Sequence, residues 1–167
     1  MIKVPIDEQI IQKVQARLKK ISVGNGYCVT LADVVRPTRH GVTSPVDKLC
    51  LVIRDPATPL DSETRAGGNP PKIGRKITLY IVVFALQDDD DPAPYDSVVS
   101  LLLADCQKAI TVPSGDGTAW GKWDGLAIES DFQDLGTAED NDGKSAGGWL
   151  QLQIQYRTPE NDPYTAA

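Results

Sequence analysis

One histidine, three cysteines and no apolar run near the roughly 18 residues of a membrane-crossing helix mark this 167-residue chain by what it lacks. Cys28, Cys50 and Cys106 are odd in number and widely spaced, and no two stand at C-x-x-C spacing. That argues against a closed zinc site or a thioredoxin-type motif, and the three read as small buried hydrophobes. His40 would have to serve any Ser/His or Cys/His pair. Its surroundings are polar and contain Gly41 and Pro37, so it reads as an exposed loop residue. The opening Met1-Ile2-Lys3-Val4-Pro5-Ile6-Asp7-Glu8 has no apolar h-region, so no secretory signal is expected. The expectation is a soluble, intracellular protein with no membrane association.

Chemical motifs are also missing. Gly68 to Lys76 has the wrong glycine spacing for a phosphate loop, no Lys-Ser/Thr follows, and Pro70 and Pro71 remove backbone donors. Asp140-Asn141-Asp142-Gly143 fails as a calcium loop, because Gly143 at position six puts Ala138 and Trp149 at the end positions where ligands belong. The Asp88–Asp91 run reads as a solvated helix cap before it reads as a cation site. Trp120 and Trp123 read as loop aromatics anchored on the core before they read as a stacking platform. No carboxylate pair sits in a context that marks an acid and a base. The expectation is a protein that is not an enzyme and takes no cofactor or metal.

What is there begins with charge. Residues 1–87 carry 13 Lys and Arg against 7 Asp and Glu, and residues 88–167 carry 4 against 16. The halves stand at +6 and −12 within a net charge of −6. The acidic total argues against a dedicated nucleic-acid binder. A basic and an acidic half suit head-to-tail contacts between copies, provided the halves do not interleave in space. Length and ordinary globular composition predict one domain over 1–167.

Hydrophobic spacing sets the elements. Asp7 is placed to cap a helix carrying Ile10, Ile11, Val14, Leu18 and Ile21, ended by Gly24-Asn25-Gly26. Tyr27–Val35 and Lys48–Arg54 read as strands, with a polar loop over 36–47. Residues 55–74, rich in Pro and Gly, read as a long loop. Arg75–Leu86 is the strongest strand, apolar on both faces in its second half, and so central or covered on both sides. A second helix runs from about Ala93 to Ile110, followed by a turn-rich 112–123 and a moderate strand Leu126–Phe132. Residues 133–148, acidic and Gly-rich, read as a mobile loop. Trp149–Thr158 alternates apolar residues with Gln151, Gln153 and Gln155, a polar uncharged face suited to solvent or a neighbouring subunit. The tail, 159–167, is expected to be exposed. The first three strands are placed to form an antiparallel meander. The predicted fold is α+β: a mixed, mostly antiparallel sheet with two amphipathic helices packed on one face.

The order of parts is specific. An amphipathic opening helix and a turn-rich loop precede Arg75 and the strand Ile77-Thr78-Leu79-Tyr80-Ile81-Val82-Val83. The helix Ser97–Ile110 follows, and the chain closes on an alternating strand ending Tyr156-Arg157-Thr158 with Asp162-Pro163-Tyr164 after it. This arrangement, over about residues 6–164, resembles the tail terminator (tail completion) proteins of long-tailed bacteriophages. The resemblance implies a homo-hexameric ring at the head-proximal end of the tail tube. It implies contacts with the tail tube protein and with a head-completion or connector protein. DNA would pass through the lumen without sequence-specific binding, and the protein would belong to the tail or neck of the virion, assembled in the host cytoplasm. It implies no catalytic residues. The long stretches 55–74 and 133–148 depart from the family pattern.

Within that expectation, Arg65, Lys72 and Arg75 are the basic candidates for a subunit contact. Asp88, Asp89, Asp90, Asp91, Glu139, Asp140 and Asp142 are the acidic candidates for a contact or for a lumen that repels phosphate. The competing readings are another neck or tail-tube component of similar fold and, from a different class, a small ligand-binding or metal-dependent enzyme domain.

Overall fold

The computed structural model of the chain describes residues 3–37, 47–55, 65–66, 71–86, 94–112, 122–139 and 145–166. In chain order these hold α1 (Ile6–Leu18), β1 (Asp33–Val35), β2 (Leu49–Arg54), β3 (Arg65–Ala66), β4 (Lys72–Leu86), α2 (Tyr95–Thr111), β5 (Glu129–Glu139) and β6 (Ser145–Pro159). The sheet runs β1-β2-β4-β6-β5, with β3 paired to the start of β4. All pairings are antiparallel except β1 with β2. The α+β architecture expected from the sequence is the one observed.

The helices form where apolar spacing is helical and lie on one face of the sheet. α1 buries Ile6, Ile10, Ile11, Val14 and Leu18, and α2 buries Val99, Leu102, Leu103, Cys106, Ala109 and Ile110. Both meet the inward set of β4 (Ile77, Leu79, Ile81, Val83, Ala85) and of β6 (Ala146, Leu150, Leu152, Ile154, Tyr156) in one core. Burial of each large side chain contributes about 1.5–3 kcal/mol. Gly148 lets α2 approach: a Cβ there would stand 2.7 Å from both Leu103 Cδ1 and Val99 Cγ1. Arg17 of α1 satisfies the end of α2, its Nη1 donating to the Ile110 carbonyl at 2.8 Å. The same guanidinium lies 4.4 Å over the ring of Trp123, which is fully buried and donates through Nε1 to Ser130 Oγ at 2.7 Å. Trp123 is thus an anchor on the core, while Trp120 and His40 lie outside the described residues.

Several boundaries differ from expectation. Pro5, not Asp7, is the N-cap of α1, and Asp7 sits in the first turn with its Oδ1 accepting the Glu8 N–H at 2.8 Å. Only Asp33–Val35 of the expected strand 27–35 pairs with a strand. The reason is competition for backbone donors: the buried Asp105 carboxylate takes the Cys28 and Val29 N–H groups, and the Leu31 N–H goes to the Ile21 carbonyl. β1 and β2 are parallel, not a meander, and the 13 residues between them meet the length that a parallel connection needs. Residues 65–66 and 72–74, expected in a loop, are ladder residues of a β3–β4 pair and of β4 itself. The 133–148 stretch is not a loop over most of its length: 133–139 belong to β5 and 145–148 to β6, with 140–144 outside the described residues. Cys50 and Cys106 are buried as expected, but Cys28 is exposed. The tail is only partly exposed, since Pro163 accepts the Ile6 N–H at 3.1 Å and Ala166 packs on the core.

Candidate functional site

The sheet order decides what becomes of the two charged halves. β1, β2, β3 and β4 come from the first half of the chain, and β6 and β5 from the second. Among the described residues the strands of the two halves therefore lie on opposite sides of one sheet, while α2 of the second half packs on α1 and β4 of the first. β4 carries Lys72, Arg75 and Lys76 and no acid. β5, the outermost strand, carries Glu129, Asp131, Asp134 and Glu139 and no base.

Among the described residues no helix packs on the other sheet face, the open face. β6 alternates strictly between buried and accessible positions, so Trp149, Gln151, Gln153, Gln155 and Arg157 all point to that face. Their partners across β4 are Val82, Tyr80, Thr78, Lys76 and Gly74. Arg157 opposite Gly74 is flanked diagonally by Lys72 and Lys76, which share its face. Among the described residues no carboxylate lies within ion-pair distance of these three cations. The Arg157 Nε is buried and makes no hydrogen bond. An orphan N–H of this kind costs about 1–3 kcal/mol.

On the β5 side, Glu129 and Asp131 pair with Gln155 and Gln153 and share the open face. With Ser130, Gln133 and the two glutamines they line a shallow groove of about 110 Å³. A bulge at Gln133 restores the same facing to Asp134, opposite Gln151. Lys76 and Glu129 lie in one row across Gln155. Two strand spacings separate their Cα atoms by about 10 Å, and no ion pair joins the two side chains. The Trp149 indole lies flat across β5 at Gly136, where a Cβ would stand 2.1 Å from Cζ2. That contact requires glycine at 136.

The expected candidates divide accordingly. Lys72 and Arg75 lie three residues apart on β4, and Arg65 pairs with Ile73 between them. Lys72 faces the open side, but Arg75 faces the helices, with its Nε donating to Thr158 Oγ1 at 2.9 Å. Arg75 neighbours Tyr156, whose hydroxyl is pushed above its ordinary range by burial and then by the Asp7 carboxylate. Asp7 is itself held by Arg54 at 2.7 Å. Glu139 ends β5 opposite Ala146. Asp88, Asp89, Asp90, Asp91, Asp140 and Asp142 lie outside the described residues. The sequence reading missed Lys76, Arg157, Glu129, Asp131 and Asp134. Strict alternation along β6 placed Arg157 on the glutamine face and was the signal available for it.

Among the described residues no group of three His, Cys, Asp or Glu stands close enough to hold a metal ion, and no helix is long and apolar enough to cross a membrane. No protein-family profile and no curated protein matches this chain.

Proposed function

We propose that this chain is a structural subunit that closes head to tail into a six-membered ring at the head-proximal end of a phage tail tube. The ring ends tube growth and offers a surface to a head-completion or connector protein, and DNA passes through its lumen. The chemistry is assembly, with no catalytic step. The observation that carries this reading is the partition of charge across the sheet: a basic β4 region and an acidic β5 edge, with no ion pair between them among the described residues. Complementary, non-identical surfaces favour a heterologous contact, and a heterologous contact that closes makes a ring. The order of helices and strands, like that of the tail terminators, supports the same reading.

Light scattering after size exclusion, across concentration and with electron microscopy of the peaks, tests it. Closed rings of about 108 kDa, six copies of the 18.1 kDa chain, are the expected result. Long tubes favour a tube component of similar fold. A chain that stays monomeric throughout, with tail tubes present as well as absent, overturns the ring.

A further inference from the structure

We infer that the Lys72, Lys76 and Arg157 cluster on the open sheet face is the docking site for the acidic β5–β6 groove of a second copy, which presents Glu129 and Asp131. The inference rests on the ring reading and names the contact that would build it.

Three observations carry it. First, Lys72 and Lys76 stand diagonally on either side of Arg157, which pairs with Gly74 between them, with no carboxylate at ion-pair distance among the described residues. Diagonal neighbours lie about 7–8 Å apart, so one arriving anion can meet more than one of these charges. Second, Arg157 is only partly buried, and its Nε is a buried donor that no acceptor satisfies, which leaves the guanidinium incompletely paired. Third, the same chain supplies the complementary surface. The groove of about 110 Å³ is lined by Glu129 and Asp131 with Gln133, Gln153 and Gln155. Carboxylates flanked by amide oxygens suit a lysine ammonium, which offers three donors and no acceptor. The two surfaces flank β6 on one face, and among the described residues no ion pair joins them.

The charge signs also exclude one geometry. Pairing the β5 edge of one copy with the β5 edge of another brings two strands with four acids each and no base together. Like charges across strands are destabilising. An isologous edge-to-edge dimer is therefore disfavoured, and β5 is directed to the basic patch.

Charge exchange in the full-length chain tests this. Lys72→Glu with Lys76→Glu forms one variant, and Glu129→Lys with Asp131→Lys forms the other. Sedimentation across protein and salt concentration reads assembly, and circular dichroism reads folding. Each variant alone is expected to need about tenfold or more protein to assemble, as several partly exposed ion pairs are lost. A 1:1 mixture is expected to recover the wild-type midpoint, because the exchanged patches then match. Wild-type assembly is expected to weaken with salt. Should a reversed variant fail to fold, Lys72→Gln with Lys76→Gln gives the same direction of shift. Variants that assemble alone as the wild type does overturn the inference and leave the ring reading standing. A mixture that stays disassembled also overturns it, since the two patches then do not meet. Duplex DNA retained by the wild type and lost by the lysine variant, with assembly unchanged, assigns the cations to phosphate and overturns it. A wild-type chain that never associates overturns both readings.

Discussion

The Asp105 carboxylate of α2 accepts the backbone N–H groups of Cys28 and Val29, at 2.7 and 2.9 Å, through one oxygen. The acid is almost wholly buried, at 3% exposure. Three residues on, Lys108 Nζ donates to the Gly26 carbonyl at 2.7 Å and lies 4.9 Å from the Tyr27 ring centroid. One flank of α2 therefore fixes the 26–29 segment by charge-assisted bonds, where a strand was expected. Asp105→Ala strands two donors and is expected to cost about 1–3 kcal/mol. Chemical denaturation measures the loss, and amide exchange should rise first at residues 28 and 29. An unchanged midpoint sinks this account.

Adjacent glycines of β6 separate close approach from conformational freedom. A Cβ at Gly148 meets Leu103 and Val99 side-chain atoms at 2.7 Å, whereas one at Gly147 finds nothing nearer than the Val83 carbonyl oxygen at 3.4 Å. Gly148→Ala is expected to destabilise the chain by about 1–3 kcal/mol as α2 is pushed outward. Gly147→Ala is expected to fall within about 1 kcal/mol of the wild type. Thermal unfolding of the pair checks this, and equal effects would show that helix–sheet contact at Gly148 is not the constraint.

Tyr156 gives the stability a basic limit. Burial, then the nearby Asp7 carboxylate, holds its proton more tightly in the folded chain than in the unfolded one. Its contribution is therefore whole below the unfolded tyrosine's titration and is lost as pH rises through the folded value. Stability is expected to fall above the ordinary tyrosine range, and Tyr156→Phe should flatten that part of the curve. Denaturation midpoints measured in steps across alkaline pH test it, and identical slopes for the two proteins would rule it out.

The thiols differ in access. Cys28 is exposed, while Cys50 and Cys106 are at 0% exposure. The hydrogen bond between the two buried thiols, then burial, keeps Cys106 protonated far above the usual range. Because the thiolate is the reactive form, one thiol is expected to react promptly with an aromatic disulfide reagent in the native state. Three should react in denaturant. Prompt labelling of Cys106 in the folded chain, read by mass spectrometry, contradicts this.

The sequence by itself determined the two helices, the central strand and the alternating last strand. Their apolar residues recur at 3.6 and 2.0, and those periods belong to the local chain geometry. It also determined that the halves carry opposite charge. The tertiary structure decided where that charge stands. Residues 27–31 have strand-like composition, yet the Cys28 N–H goes to a carboxylate 77 positions away in the chain, at Asp105, which also takes the Val29 N–H. The acidic 133–139 stretch has loop-like composition, yet it pairs with β6, its Gly136 lying under Trp149. The cluster of Lys72, Lys76 and Arg157 exists only because β4 and β6 are neighbours in register. Pairing between strands is a long-range choice made by the whole core, and no window of sequence contains it.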